Sequence, residues 1–266
     1  MASSTRSAGR PLSPAGLFAV LIGATLAAWL VLLVRMRGMD AGPGTDLGTL
    51  GWYVGIWVTM TAAMMLPSAW PMLFVYSKVA SGSSRRPAAM TAVFLAGYVV
   101  AWTAYGLVAY AVYRIVRSLD PSFLGWSREG PVVAGAVIAL AGLYQLTPMK
   151  QICLRYCRTP FHFVLHRWHG GAFGALRMGV EHGLWCVGCC WGLMLVLFAV
   201  GVMSLTWMVI VAAVIFAEKV LPVGERLAMV FALALVGLGI WIAVAPGSVP
   251  FLTEPGSMMP MDGGMP

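Results

Sequence analysis

An all-α, polytopic membrane bundle of about seven transmembrane helices is the fold this sequence predicts. Three observations carry that expectation. Of 266 residues, 60% are hydrophobic and only 10% charged, where soluble domains carry about 25% charged residues. Mean hydropathy is +0.86. The apolar residues fall in runs near the roughly 20 residues a bilayer crossing needs, and short basic loops separate them.

The runs place spans at 15–34, 52–76, 90–113, 132–146, 179–202, 205–220 and 227–244. Arg6 and Arg10 precede the first run, as in a signal peptide. The run is long, ends in Arg35-Met36-Arg37 and has no small-residue cleavage site, so it is expected to be retained. Turn residues mark the linkers: Gly42-Pro43-Gly44, Asp120-Pro121 and Gly130-Pro131. Trp52, Trp126 and Trp207 fall near the expected interfaces. Lys and Arg concentrate on one side: Arg6 and Arg10 in the N-tail, Lys78, Arg85 and Arg86, then Lys150 to Arg177, then Lys219 and Arg226. The positive-inside rule therefore predicts a cytoplasmic N-terminus. Residues 1–14 read as a cytoplasmic tail, 15–245 as one membrane domain with a Cys/His-rich loop at 148–178, and 246–266 as a flexible Met/Pro/Gly-rich tail.

The net charge of +8 lies in interhelical loops, so nucleic acid is not an expected partner. An odd number of cysteines, five, argues against a complete disulfide framework.

Chemistry concentrates in 181–192, Glu-His-Gly-Leu-Trp-Cys-Val-Gly-Cys-Cys-Trp-Gly. On a helix, His182, Cys186 and Cys189 fall within about 60° of one another, and Cys190 lies one turn from Cys186. Thiolates suit Cu(I) or zinc, and imidazole suits zinc and copper. The competing reading is packing, with Gly188 and Gly192 forming a small-residue helix contact. Cys153 and Cys157 lie one helical turn apart in the preceding loop, followed by His162, His166 and His169 among basic residues. Cationic neighbours favour thiolate, although an amphipathic interfacial segment explains the histidines equally well. A shared site joining Cys153 and Cys157 to Cys186 with Cys189 or Cys190 is expected.

Met60 and Met64 share a face in the second span, with Met65 beside them. Their spacing resembles the Met-xxx-Met pair of eukaryotic high-affinity copper transporters. Methionine as flexible filler is the alternative. Pro67 and Pro71 are expected to bend this helix. Met258, Met259, Met261 and Met265 in the tail offer a copper-capturing cluster. Glu218, before Lys219, is an internal ion pair, a proton site or a helix-end anchor.

Several of these motifs recur in order in one known family. Met60-Thr-Ala-Ala-Met-Met-Leu-Pro67, Gly142-Leu-Tyr-Gln-Leu-Thr-Pro-Met-Lys150 leading to Cys153 and Cys157-Arg158, Cys186-Val-Gly-Cys-Cys-Trp191 and Glu218-Lys219 together resemble the bacterial "predicted metal-binding integral membrane protein" family, a domain of unknown function. The resemblance covers 52–245. It implies a multi-pass protein of the bacterial inner membrane with a metal site.

The resulting expectation is a protein that handles a metal ion, copper favoured over zinc, in transport, delivery or sensing. Its expected partners are the lipid bilayer, the metal ion, and a metallochaperone or acceptor membrane enzyme. A membrane thiol oxidoreductase using Cys186 and Cys189 is one alternative, and an assembly subunit is another. The chain has no Walker A motif for ATP-driven pumping.

Overall fold

The computed structural model describes residues 13–36, 46–119, 126, 128–201, 204–250 and 252. Among them are helices α1 (Pro14–Arg35), α2 (Leu50–Ser83), α3 (Pro87–Ser118), α4 (Gly130–Gln145), α5 (Pro148–Arg158), α6 (Pro160–His166), α7 (Gly171–Val200), α8 (Leu205–Val220) and α9 (Gly224–Val244), and no strand. Every expected span coincides with a helix.

Five of the helices, α1, α2, α3, α7 and α9, are long and apolar enough to cross a membrane; α4 and α5, bent by 64°, qualify together as a sixth. With 16 residues, α8 is roughly 24 Å long, short of a hydrocarbon core of about 30 Å. Its length alone does not make it a crossing. By contrast α2, at 34 residues, is roughly 51 Å long and overruns that core. It continues unbroken through Pro67 and Pro71.

The stretch 148–178, expected as a loop, is instead largely helical. Thr147 ends the line of α4: its hydroxyl accepts from the Lys150 N–H at 3.3 Å, and Pro148 occupies the first turn of α5. Proline fits a first helical turn but cannot continue a preceding helix. Between α5 and α6 Pro160 again occupies a first helical turn, but the Thr159 hydroxyl donates back to the Arg155 carbonyl at 2.9 Å instead of capping α6. At the far end of α7, Gly201 adopts φ +114°, a conformation closed to other residues without strain.

Burial sorts the helices. The most apolar windows of α2 and α7 are 61% and 56% buried, while those of α1 and α9 are 28% and 22% buried. The outer helices turn Leu26, Val34, Leu233 and Val244 outward, as a lipid-facing surface requires. Helix α3 packs along α7 and α4 along α9, with α5 and α8 also against α7. The cysteine-bearing helix is thus enclosed by α3, α4, α5 and α8. Trp52 lies under the Arg35 guanidinium, 5.8 Å from its ring centre, whereas Trp207 is buried. The turns at Gly42–Gly44 and Asp120-Pro121, and Met258, Met259, Met261 and Met265, lie outside the described residues.

Candidate metal centre

Helical spacing puts Cys186, Cys189 and Cys190 on one face of α7, and all three are buried. The sulfur of Cys186 is the focus. Tyr98 Oη lies 3.0 Å from it and Trp102 Nε1 donates to it at 3.3 Å; these two residues are one turn apart on α3. From α8, Lys219 Nζ donates at 2.9 Å. Trp102 is anchored in turn, because its carbonyl accepts from Trp57 Nε1 at 2.9 Å.

Lys219 is buried, and a buried ammonium needs a compensating partner. Among the described residues its hydrogen-bond acceptors are sulfurs, Cys186 Sγ and, at 4.0 Å, Met65 Sδ. Its neighbour Glu218 points elsewhere. Lys150 Nζ meets Glu218 Oε2 at 2.6 Å and also donates to Gln145 Oε1, while Gln145 Nε2 donates to Glu218 Oε1 at 3.2 Å. Glu218 is therefore an internal ion pair. With that carboxylate engaged, the partner left to Lys219 is the Cys186 sulfur, which also accepts from Trp102 and touches the Tyr98 hydroxyl.

Three further thiols gather at this point. Cys157, from α5, approaches Cys189 at 3.7 Å between sulfurs. Cys189 and Cys190 are 3.4 Å apart, and Cys189 donates to the Cys186 carbonyl at 3.2 Å. Cys189 thus links Cys157 and Cys190 to the Cys186 backbone. Two anchors flank Cys157. Tyr156 stacks on Trp185 of α7 with centroids 4.2 Å apart, and the Arg158 guanidinium donates to the Leu221 and Pro222 carbonyls at 2.7 and 3.0 Å. All five cysteines are free.

The fifth cysteine occupies a different niche. Cys153 Sγ lies over Gly188, 2.6 Å from where a Cβ on that glycine would stand. Gly192 faces Tyr144 and Ala141 of α4. Both glycines therefore seat the α4–α5 segment, and the Gly188 carbonyl accepts from Tyr144 Oη at 2.6 Å.

His182, one turn before Cys186, is buried between aromatic rings: Phe94, Tyr98 and Phe163 lie 6.1, 5.7 and 5.6 Å away, centroid to centroid. Its Nδ1 has no hydrogen-bond partner among the described residues. Met60 and Met64 are buried on α2, but the methionine that meets the polar site is Met65. His162, His166 and His169 are exposed. Glu181 is tied to Arg177 at 3.0 Å and Arg167 at 3.4 Å. Among the described residues no group of three or more His, Cys, Asp or Glu side chains stands ready to hold a metal ion. The four thiols are contiguous rather than aimed at one point, because Cys189 is turned onto a carbonyl and Lys219 covers Cys186.

Sequence reasoning passed over Tyr98 and Trp102 and read Lys219 only through Glu218. One signal was present: Trp102 stands in the middle of a span, away from the interfaces where tryptophan usually collects.

The donor set is soft and dry, as Cu(I) requires. A family model described as PpoB2, copper chaperone, matches residues 54–242, a stretch that holds all five cysteines and agrees with the metal-binding resemblance read from the motifs. No curated protein and no solved structure matches the chain.

Proposed function

Since the chain belongs to the PpoB2 copper chaperone family, we propose that it holds Cu(I) as cargo within the bilayer and passes it to a protein acceptor. The observation that carries this reading is the convergence of Lys219, Trp102 and Tyr98 on Cys186 Sγ, with the contiguous thiols of Cys157, Cys189 and Cys190 following on the same side of α7. Cys186 is the anchoring thiolate. A second sulfur, from Cys157, Cys189 or Cys190, turns toward the ion by side-chain rotation and loses its proton on binding. Cu(I) with two thiolates carries one net negative charge, which the Lys219 ammonium neutralises in a medium where an uncompensated charge is costly. Such a site needs fewer ligands than the four of a structural zinc site, which favours copper over zinc.

The remaining donors take auxiliary roles in this reading. Met60 and Met64, with Met65, are relay ligands on α2; His182 and Cys153 border the thiols. Cys157 is the least buried of the five cysteines and is the exit ligand. The setting is a bacterial inner membrane with a cytoplasmic N-terminus, supported by the distribution of Lys and Arg. A metallochaperone or an acceptor membrane enzyme receives the ion.

Anaerobic Cu(I) loading followed by elemental analysis tests this reading. The wild type is expected to retain copper and the Cys186→Ser/Cys189→Ser variant to lose it; equal copper in both would overturn the assignment. One observation favours a second reading, a thiol oxidoreductase: the free thiols of Cys157 and Cys189 are only 3.7 Å apart. Thiol trapping that finds a reversible Cys157–Cys189 bridge in a copper-free protein selects that reading instead.

A further inference from the structure

We propose that His162 and His166 form a second metal site, on the protein surface, for a borderline divalent cation of the Cu(II), Zn(II) and Ni(II) class. It does not depend on the thiol cluster or on what that cluster carries.

The two histidines are one turn apart on α6 and so share a face. Both are exposed, while Phe163 and Val164 on the other side of the helix are fully buried and hold it in place. The imidazole rings stack with centroids 4.1 Å apart and planes 23° from parallel. Metal–nitrogen bonds to imidazole are about 2.0–2.1 Å long; stacked rings point their in-plane lone pairs side by side, and rotation of the His162 ring out of the stack brings both nitrogens onto one ion. Paired histidines at this spacing on a helix are a known way of holding zinc.

The His166 ring is also preset. His166 Nδ1 lies 2.9 Å from the His162 backbone carbonyl. A carbonyl only accepts, so Nδ1 carries the proton and Nε2 presents its lone pair outward. A hydrogen bond of this kind fixes tautomer and orientation in metal-binding histidines. Nearby cations are committed elsewhere, Arg158 to the Leu221 and Pro222 carbonyls and Arg167 to Glu181.

Imidazole is a borderline donor, so this pair selects differently from the thiols behind it. Phe163 separates the two: its ring meets His182 edge-on at 5.6 Å, and His182 is one turn from Cys186. The surface pair and the buried cluster thus lie on opposite sides of α6. No third His, Cys, Asp or Glu joins the pair among the described residues. The chain supplies two ligands and leaves the other positions to water or to a ligand from an incoming protein, as in an open site.

The test uses the full chain, purified in detergent without a polyhistidine tag and titrated calorimetrically with Ni(II). The wild type is expected to bind Ni(II). His162→Ala and His166→Ala are each expected to weaken binding by at least about tenfold. A third variant, Phe161→His with His162→Phe, keeps the composition but sets the two imidazoles five residues apart, about 140° around the helix, and is expected to weaken binding equally. All of these positions are exposed, so the variants fold. Cu(I) loading of the thiols, measured in parallel, is expected to stay at the wild-type level in all three, which separates this result from the fate of the thiol assignment. No Ni(II) binding by the wild type, or equal binding by wild type and variants, would overturn the proposal and leave the pair as stacked rings on an interfacial helix.

Discussion

Lys219 Nζ sits 2.9 Å from Cys186 Sγ, while the residue before it, Glu218, reaches away to Lys150 at 2.6 Å. Two adjacent charges on one short helix thus serve two separate buried partners.

The Lys219 contact is expected to support copper binding from outside the ligand set. Replacing Lys219 by Met removes the ammonium and keeps the volume. Cu(I) affinity, measured by competition with a chromophoric chelator, should fall about ten- to hundredfold, as it does when partners of metal ligands are removed. Tyr98→Phe and Trp102→Phe should each cost less, since each removes an uncharged donor. A rise in affinity for Lys219→Met would show that the ammonium competes with copper for the sulfur.

The two cysteines of α5 are expected to separate cleanly. Cys157 lies beside Cys189, whereas Cys153 lies over Gly188. Cys157→Ser should lower copper retention after challenge with a chelator, and Cys153→Ser should leave it near wild type. Elemental analysis of the two variants side by side checks this.

The buried pair of Lys150 and Glu218 should be far more sensitive to losing one partner than both. Lys150→Met leaves a carboxylate stranded and is expected to cost about 3–5 kcal/mol. Adding Glu218→Gln should restore most of that stability. Thermal unfolding in detergent, followed by tryptophan fluorescence, gives the comparison.

Gly188→Ala should be destabilising by about 1–3 kcal/mol through overpacking against Cys153 Sγ. Combined with Cys153→Ala, the same change should be tolerated. Failure of the second substitution to compensate would mean that the contact is not what limits this position.

The residues show which features the sequence could carry. Apolar runs bounded by proline, glycine and basic residues mark helices directly, so each expected span met a helix, although α8 proved too short to qualify as a crossing by its own length. Cys186, Cys189 and Cys190 share a face because helical periodicity requires it. The choice of Cys157 over Cys153 was not legible, because it depends on where α5 points after the break at Thr147-Pro148. Tyr98 and Trp102 were hidden because aromatic residues in a span usually only pack. Met65, not Met60 or Met64, meets Lys219 for a similar reason: side-chain reach across a helix interface is set by rotation about the helix axis. That rotation leaves little trace when a helix is apolar on every side.

For α8 the missing information is supplied by charge. Apart from Glu218 and Lys219 the helix is almost uniformly apolar, so packing alone would tolerate many rotational settings. Turning it by one residue, about 100°, would bring the carboxylate to the thiols and carry the ammonium past them, or in the other sense bring the ammonium to Lys150 and carry the carboxylate away; either way like charges meet at one place and a buried charge is stranded. The adjacent acid and base therefore act as a two-toothed key. They lock the azimuth of a helix that oil-like contacts could not orient, and with it the position of the cation beside Cys186.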